Sequence, residues 1–210
     1  ISSAGRAAAA AATTTTSWAT FATAYAAKGS GAALDASYDL KISKSELTTA
    51  DNLVKLKDAA AAGKINSITL SDTAPISISL DQTDATLKLV AGNDLSKVLS
   101  KITSAHKLVL TKTTAADISS LKSTSANETL DIQVSDTLAN VKNYATTLQA
   151  AAKAGSLTDV ALSSSATDLT AWTVTAKDYT VTYANLMNVL KGTNAAKSVI
   201  VTGASVKNYT

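Results

Sequence analysis

Two stretches of thirty residues in this chain are variants of one another, and that repetition narrows the folds open to it. Ile42 to Ser71 reads ISKSELTTADNLVKLKDAAAAGKINSITLS, and ninety-two residues on, Val134 to Ser163 reads VSDTLANVKNYATTLQAAAKAGSLTDVALS. Exchanges between them fall freely on polar positions and keep the apolar spacing. A sequence duplicated for its packing pattern describes a unit that stacks on its own kind.

Both copies read as strand, helix, strand. In the first, Tyr38, Leu40 and Ile42 alternate at the period of a half-buried strand. A polar connection follows, with Thr49 or Asp51 as the helix cap. Leu53, Leu56 and Ala60 share one helical face, Gly63 stands where a left-handed stop belongs, and Ile68 and Leu70 resume a strand. In the second copy Leu130, Ile132 and Val134 alternate. Val141, Tyr144 or Ala145, Leu148 and Ala152 then make the stripe, Gly155 the stop, and Val160 and Leu162 the returning strand.

Each copy has a second half of the same kind. ISISL (76–80) and ATLKLV (85–90) alternate as strands do, and HKLVLT (106–111) is a further strand. Between them DLSKVLSKI (94–102) is a short amphipathic helix on Leu95, Val98, Leu99 and Ile102. The later counterparts are AWTVT (171–175), DYTVTYA (178–184), NLMNVLKG (185–192) and KSVIVTG (197–203), offset by ninety-one through a one-residue loop deletion. ADISSL (116–121) and ASVKNY (204–209) read as short turns or helical caps. A unit of about 90 residues is then two strand-helix-strand layers of about 45.

Strand and helix in steady alternation give an α/β class with helices covering a sheet. Two arrangements follow: repeats stacked as an elongated α/β solenoid on one shared ribbon of strands, or two small α/β domains that close separately. The scarcity of Pro and Gly between the units favours the continuous form. The expected division is 1–36, an Ala/Thr-rich N-terminal segment, then 37–128 and 129–210 as first and second repeat units.

In the N-terminal segment Ala7 to Ala12 favours helix, whereas the β-branched run Thr13 to Thr16 opposes its continuation. Trp18, Phe21 and Tyr25 then fall on one face of a short helix, closed by KGSGAA (28–33). Such a face requires cover, so these three are candidate subunit contacts, and the segment is a cap or an inter-subunit linker. Ile1 reads as a mature end left by processing or as the start of an excised fragment, without the Leu-rich core of an uncleaved signal peptide.

The pattern V-S-D-T-x-A-N-V-x(6)-L-Q-A-A-A-x-A-G-x-L-T-x-V-x-L, from Val134 to Leu162, resembles a repeat of large bacterial surface and secreted proteins. These are adhesin-like β-strand-repeat proteins, some with calcium-binding nonapeptides and one-step export. The resemblance covers 37–210 in two copies and implies an extracellular structural or adhesive role without catalytic residues. The first copy departs from it, with SKSEL (43–47) where the second has SDTLA (135–139), so a role for Asp136 is not shared. The calcium motif GGxGxD does not occur.

Composition removes several chemistries. The chain has no Cys, hence no disulfide or thiolate metal site, and one His, too few for an ordinary zinc site. Its formal charge is +3, and Arg6 is the sole arginine, which speaks against nucleic-acid binding. No apolar run reaches the roughly 20 residues of a membrane span. His106, at the start of a strand, reads as a partly exposed loop or strand-edge residue. Ser104–Lys107 and Ser119–Lys122 match Ser-x-x-Lys spacing without the elements that make it informative. Asp72, Asp81, Asp84 and Asp94 offer loop oxygens to Ca2+, but counterparts such as Ser164 opposite Asp72 are not acidic, so they read as turn formers. Asn127 and Asn208 open sequons. Trp172, Tyr179 and Tyr183 form a candidate aromatic platform for a surface glycan, weighed against core packing.

The function expected from these residues is a non-enzymatic extracellular protein of the cell surface, without cofactor. It would self-associate as a homo-oligomer or polymer into a fibre, layer or matrix. The alternative is an adhesive module that recognises a glycan or protein receptor through edge loops.

Overall fold

In the computed structural model, which describes residues 15–163, 172–191 and 199–202, paired strands all run parallel and follow one another in chain order. The elements are β1 (Thr15–Ser17), α1 (Trp18–Lys28), β2 (Tyr38–Ile42), α2 (Lys44–Thr48), α3 (Ala50–Ala61), β3 (Ile65–Leu70), β4 (Ile76–Asp81) and α4 (Asp94–Leu99). There follow β5 (His106–Thr113), β6 (Glu128–Asp136), α5 (Leu138–Asn143), α6 (Ala145–Lys153), β7 (Leu157–Leu162), β8 (Trp172–Thr175), α7 (Ala184–Lys191) and β9 (Val199–Thr202). A 3-10 turn (Asp117–Ser120) comes after β5 and a π-helical turn (Asp178–Thr182) after β8. The predicted Ala7–Ala12 helix, the ASVKNY cap, Ser164 and the Asn208 sequon lie outside the described residues.

The sheets are β1-β2-β3, β4-β5-β6-β7 and β8-β9. Parallel neighbours cannot be joined by a hairpin, and each pair here is spanned by a crossover holding a helix or helical turn. The molecule is thus of the α/β class. Partners lie 21 residues apart at Thr113 and Val134 and 30 apart at Ile76 and His106, while one bridge joins Ile68 to Ile102. A copy supplies two strand-helix-strand units, β2-α2-α3-β3 and β4-α4-β5, whose strands belong to different sheets.

The duplication holds element by element. The run β2-α2-α3-β3-β4-α4-β5 is followed by β6-α5-α6-β7-β8-α7-β9, and α3 packs on α4 as α6 packs on α7. The two runs meet where β5 pairs with β6, so the middle sheet takes strands from both. β1 stands beside β2 as β5 stands beside β6.

Strand faces differ. In β4, Ile76, Ile78 and Leu80 are buried while Ser77 and Ser79 are exposed, the alternation of a sheet with one solvated face. Leu53, Leu56 and Ala59 of α3 and Ala145 and Leu148 of α6 belong to the core, each buried Leu contributing about 2 kcal/mol. Ala145, not the exposed Tyr144, completes the second stripe.

Three local expectations change. ATLKLV is not a strand: the buried Gln82 amide donates to the Leu80 and Leu87 carbonyls and accepts from Leu89 N–H, supplying what a strand ladder would. DYTVTYA is the π-helical turn, entered where Thr175 Oγ1 accepts from Asp178 N–H at 3.0 Å. The polar connection before α3 is itself the short helix α2, opened by a capping box between Ser43 and Glu46.

Candidate functional site

The residues singled out by sequence fall mainly into three places: the layer of α1, the group around Trp172, and the joint between β5 and β6. In the first of these α1 begins on Ser17, whose side chain caps the Thr20 N–H, and stops at Gly29 with φ +76°. Phe21 is fully buried, edge-on to Tyr38 with ring centroids 5.4 Å apart, and the Trp18 ring lies 5.5 Å from it, tilted. Tyr25 donates its hydroxyl to Asp58 Oδ2 at 2.6 Å, and the Gly31 N–H donates to the same oxygen at 2.5 Å. That hydrogen bond, then burial and the carboxylate charge, push Tyr25 up to about 12; the Tyr25 and Gly31 donors hold Asp58 below its ordinary value. A Cβ on Gly31 would fall 2.6 Å from the Ala59 backbone, so only glycine permits this approach. Of the three candidate contact residues, Phe21 is committed within its own chain, and Trp18 and Tyr25 keep partial exposure.

In the second aromatic group Trp172 is 8 % exposed and packs on Tyr183 at 5.8 Å, with Tyr179 and Tyr183 half-buried against the core. Trp172 faces inward and offers no open ring for stacking.

At the joint His106 lies directly opposite Glu128 in the β5–β6 register. Both side chains are fully buried, which corrects the expectation of a partly exposed histidine. The ring Nδ1 sits 2.9 Å from the Ser104 carbonyl, and a carbonyl only accepts, so Nδ1 carries a proton. Nε2 faces Glu128 Oε2 at 3.5 Å. A bare nitrogen lone pair facing a carboxylate is repulsive, so the pair is favourable as imidazolium and carboxylate. Burial pulls His106 down, but Glu128 and the Ser104 carbonyl outweigh it and leave its pKa raised. Burial likewise pushes Glu128 up, but His106 and the Thr124 N–H and hydroxyl outweigh it and leave it lowered.

The arrangement differs from that of a serine triad. A serine triad sets the acid on one ring nitrogen and the nucleophile on the other. Here a carbonyl takes Nδ1 and the acid faces Nε2, and no nitrogen remains for a serine; the buried Ser125 hydroxyl has no hydrogen-bond partner among the described residues. Ser104 accepts from Leu70 N–H, and Lys107 pairs with Asp131 at 3.2 Å, so that Ser-x-x-Lys pair is divided between structural tasks. Ser119 is exposed, and Lys122 borders a shallow depression of about 260 Å³ with Leu89, Ser96 and Thr124.

Three of the four aspartates serve the backbone, and Asp94 pairs with a lysine. Asp72 accepts from Lys44 N–H at the start of α2, Asp94 pairs with Lys97, and Asp84 closes a turn on Thr86. Asp81 does the same on Thr83, and Lys112 with Thr83 brings it down to about 2. Among the described residues no group of three or more His, Asp or Glu could hold a metal ion, and no helix is long and apolar enough to cross a membrane.

Sequence reasoning passed over Asp58 and Glu128, and of Asp136 it said only that a role would not be shared by both copies. Asp136, 8 % exposed, accepts from Ala115 N–H, Thr137 N–H and the Asn140 amide, tying the crossover after β5 to the start of α5.

In β9 Val201 is 38 % exposed, whereas its counterpart Leu110, ninety-one residues earlier, is fully buried. Comparison with family models, with curated proteins and with solved structures finds no match to this chain in any of the three.

Proposed function

We propose that this chain is a non-enzymatic structural subunit of an extracellular surface fibre, layer or matrix, its repeats stacked as an elongated α/β solenoid. The observation that carries the reading is the β5–β6 joint. The last strand of one copy pairs in parallel with the first strand of the next, so a unit's end is built to receive another unit's beginning. The chemistry of the buried carboxylates supports the same role: the pair at the joint faces no solvent, and Asp58 and Asp136 each tie one layer to the next. The likeness of Val134–Leu162 to repeats of bacterial surface proteins fits a location outside the cell.

The test is size against concentration. Sedimentation velocity should show species that grow with concentration, and negative-stain images should show filaments or sheets. A compact monomer at every concentration would overturn the reading.

A further inference from the structure

We infer that the depression between α4 and the 3-10 turn binds an acidic sugar, a hexuronate in chemical class. The inference goes beyond the assembly reading above and stands or falls separately from it. The depression, of about 260 Å³, has room for a single sugar ring, and Leu89 with Ala91 gives the apolar side of such a ring a surface to rest on. Five hydroxyls border it, those of Ser96, Ser100, Ser120, Ser123 and Thr124. Their protons are already committed. Ser96 donates to the Asn93 carbonyl, Ser100 to that of Lys97 and Ser120 to that of Asp117, all within 2.8 Å. Ser123 donates to the Glu128 carbonyl at 2.9 Å, and Thr124 to the Glu128 carboxylate at 2.8 Å. A hydroxyl has one proton and two lone pairs, so each of these oxygens can still accept and none can donate. A ligand seated here has to bring donors of its own.

The charge of that ligand follows from the cations. Lys97 and Lys122 line the depression, and no carboxylate among the described residues does. Lys97 is shared with Asp94 at 2.8 Å, whereas Lys122 has no ion-pair partner among the described residues. A metal cation would find the same acceptors, but the two ammonium groups oppose it. A hexuronate meets both demands, with ring hydroxyls donating to the serine and threonine oxygens and its carboxylate accepting from the lysines. The walls are set in advance. Lys88 pairs with Asp117 at 3.2 Å, tying the loop before α4 to the 3-10 turn, and the Glu128 carboxylate also accepts from Thr124 N–H. The packing of the repeat does not by itself require the opening. Ser96 answers to Met187, ninety-one residues on, which is buried. The same helical position thus takes a long apolar side chain in one copy and a small hydroxyl in the other.

The probe is sodium glucuronate, read by saturation-transfer difference NMR, which observes the sugar whether the protein is single or assembled. Saturable binding in the millimolar range is expected. Glucose has the hydroxyls without the charge and acetate the charge without the hydroxyls, and each should bind at least about tenfold more weakly. Lys122→Gln should weaken glucuronate about fivefold and leave glucose unchanged. Ser96→Met, which fills the depression from the helix, should abolish binding with unchanged circular dichroism. A galacturonate oligomer separates the two sources of such a group. Binding at least about tenfold tighter than the single sugar assigns the site to a polysaccharide, and equal binding assigns it to a free sugar, both in support of the inference. No saturable binding of either, acetate binding as tightly as glucuronate, or glucuronate binding that survives both substitutions would overturn it.

Discussion

The two copies end their helical halves alike and begin them differently. Gly63 and Gly155 stop them with φ of +70° and +75°, and the next residue returns to the same carbonyl, Lys64 to Ala59 and Ser156 to Ala151. At the start, the first copy uses the Ser43–Glu46 capping box behind a buried Ile42. The second places the buried Asp136 at the position of Ile42, with Thr137 as cap and Asn140 where Glu46 stood. A left-handed stop admits little but glycine, whereas a helix N-terminus accepts several side-chain acceptors. The difference also shows how layers are attached. Asp58 holds the N-terminal layer to the first copy, and Asp136 holds the crossover after β5 to the second. Each copy uses one carboxylate, set at a different place, to grip the layer before it.

The comparison breaks most visibly in the core. Leu56 and Leu148 are counterparts and both fully buried. Leu56→Ala and Leu148→Ala should each cost about 3 kcal/mol. Trp18 beside the first copy and Trp172 in the second report on the two regions separately. With β5 and β6 joining the copies, both tryptophans should follow a single urea transition in each variant. Two transitions would mean that the copies fold independently.

The joint has its own pH signature. The folded pKa of His106 lies above its ordinary 6.5, so its contribution is complete below 6.5 and is lost as pH rises through the folded value. That of Glu128 lies below 4.5, so its contribution is present above 4.5 and is lost as pH falls through the folded value. The pair is therefore at full strength between 4.5 and 6.5. There Glu128→Gln should cost about 2 to 3 kcal/mol, as expected when a buried charge loses its partner. The cost should shrink above that window, where neutral Nε2 can accept from the new amide. Urea titrations across pH check this, and a pH-independent difference would remove the ion pair from the account.

Much of the fold is legible because its signals are local. Gly63 and Gly155 mark the helix ends, and the stripe Leu53, Leu56, Ala60 is buried as its spacing predicts. What the pattern leaves open is register. Sequence sets Ile42 against Val134, but the ladders, each with a shift after Tyr38 or Ile132, set Ile42 against Asp136. A slip of two residues keeps every side chain on its face, so alternation cannot detect it. His106 and Glu128 were hidden for a related reason: they meet at a sequence separation of 22 residues, and no local pattern fixes the length of the crossover between their strands. ATLKLV alternates as a strand does, yet one glutamine satisfies its backbone.

The two attaching carboxylates separate next. Asp136→Ala strips a partner from the Ala115 N–H in a fully buried setting and should cost about 2 kcal/mol. Asp58→Ala frees a half-exposed hydroxyl and the Gly31 N–H, so it should loosen α1 while leaving the urea midpoint seen by Trp172 nearly unchanged. Hydrogen exchange localised to residues 18–31 in the Asp58 variant, and spread over 113–145 in the Asp136 variant, is the expected pattern. The reverse would mean that Asp136 is a local cap and Asp58 the structural tie.

The smallest effect discriminates most finely between the two helix starts. Ser43 Oγ accepts from Glu46 N–H at 3.2 Å, and Glu46 Oε2 accepts from Ser43 N–H at 2.7 Å. Ser43→Ala removes one arm of this reciprocal pair and should cost about 1 kcal/mol. Thr137 Oγ1 makes the matching 3.2 Å contact with Asn140 N–H, but there Asp136 Oδ1 already accepts from Thr137 N–H and the Asn140 amide, both within 2.8 Å. The second helix therefore keeps a charged acceptor at its start when Thr137 is lost, and Thr137→Ala should cost about half as much as Ser43→Ala. In an Asp136→Asn background that protection weakens, and the Thr137→Ala cost should rise to match its counterpart. Equal costs in the unaltered chain would show that Asp136 serves the β5 crossover alone and contributes nothing to the helix it precedes.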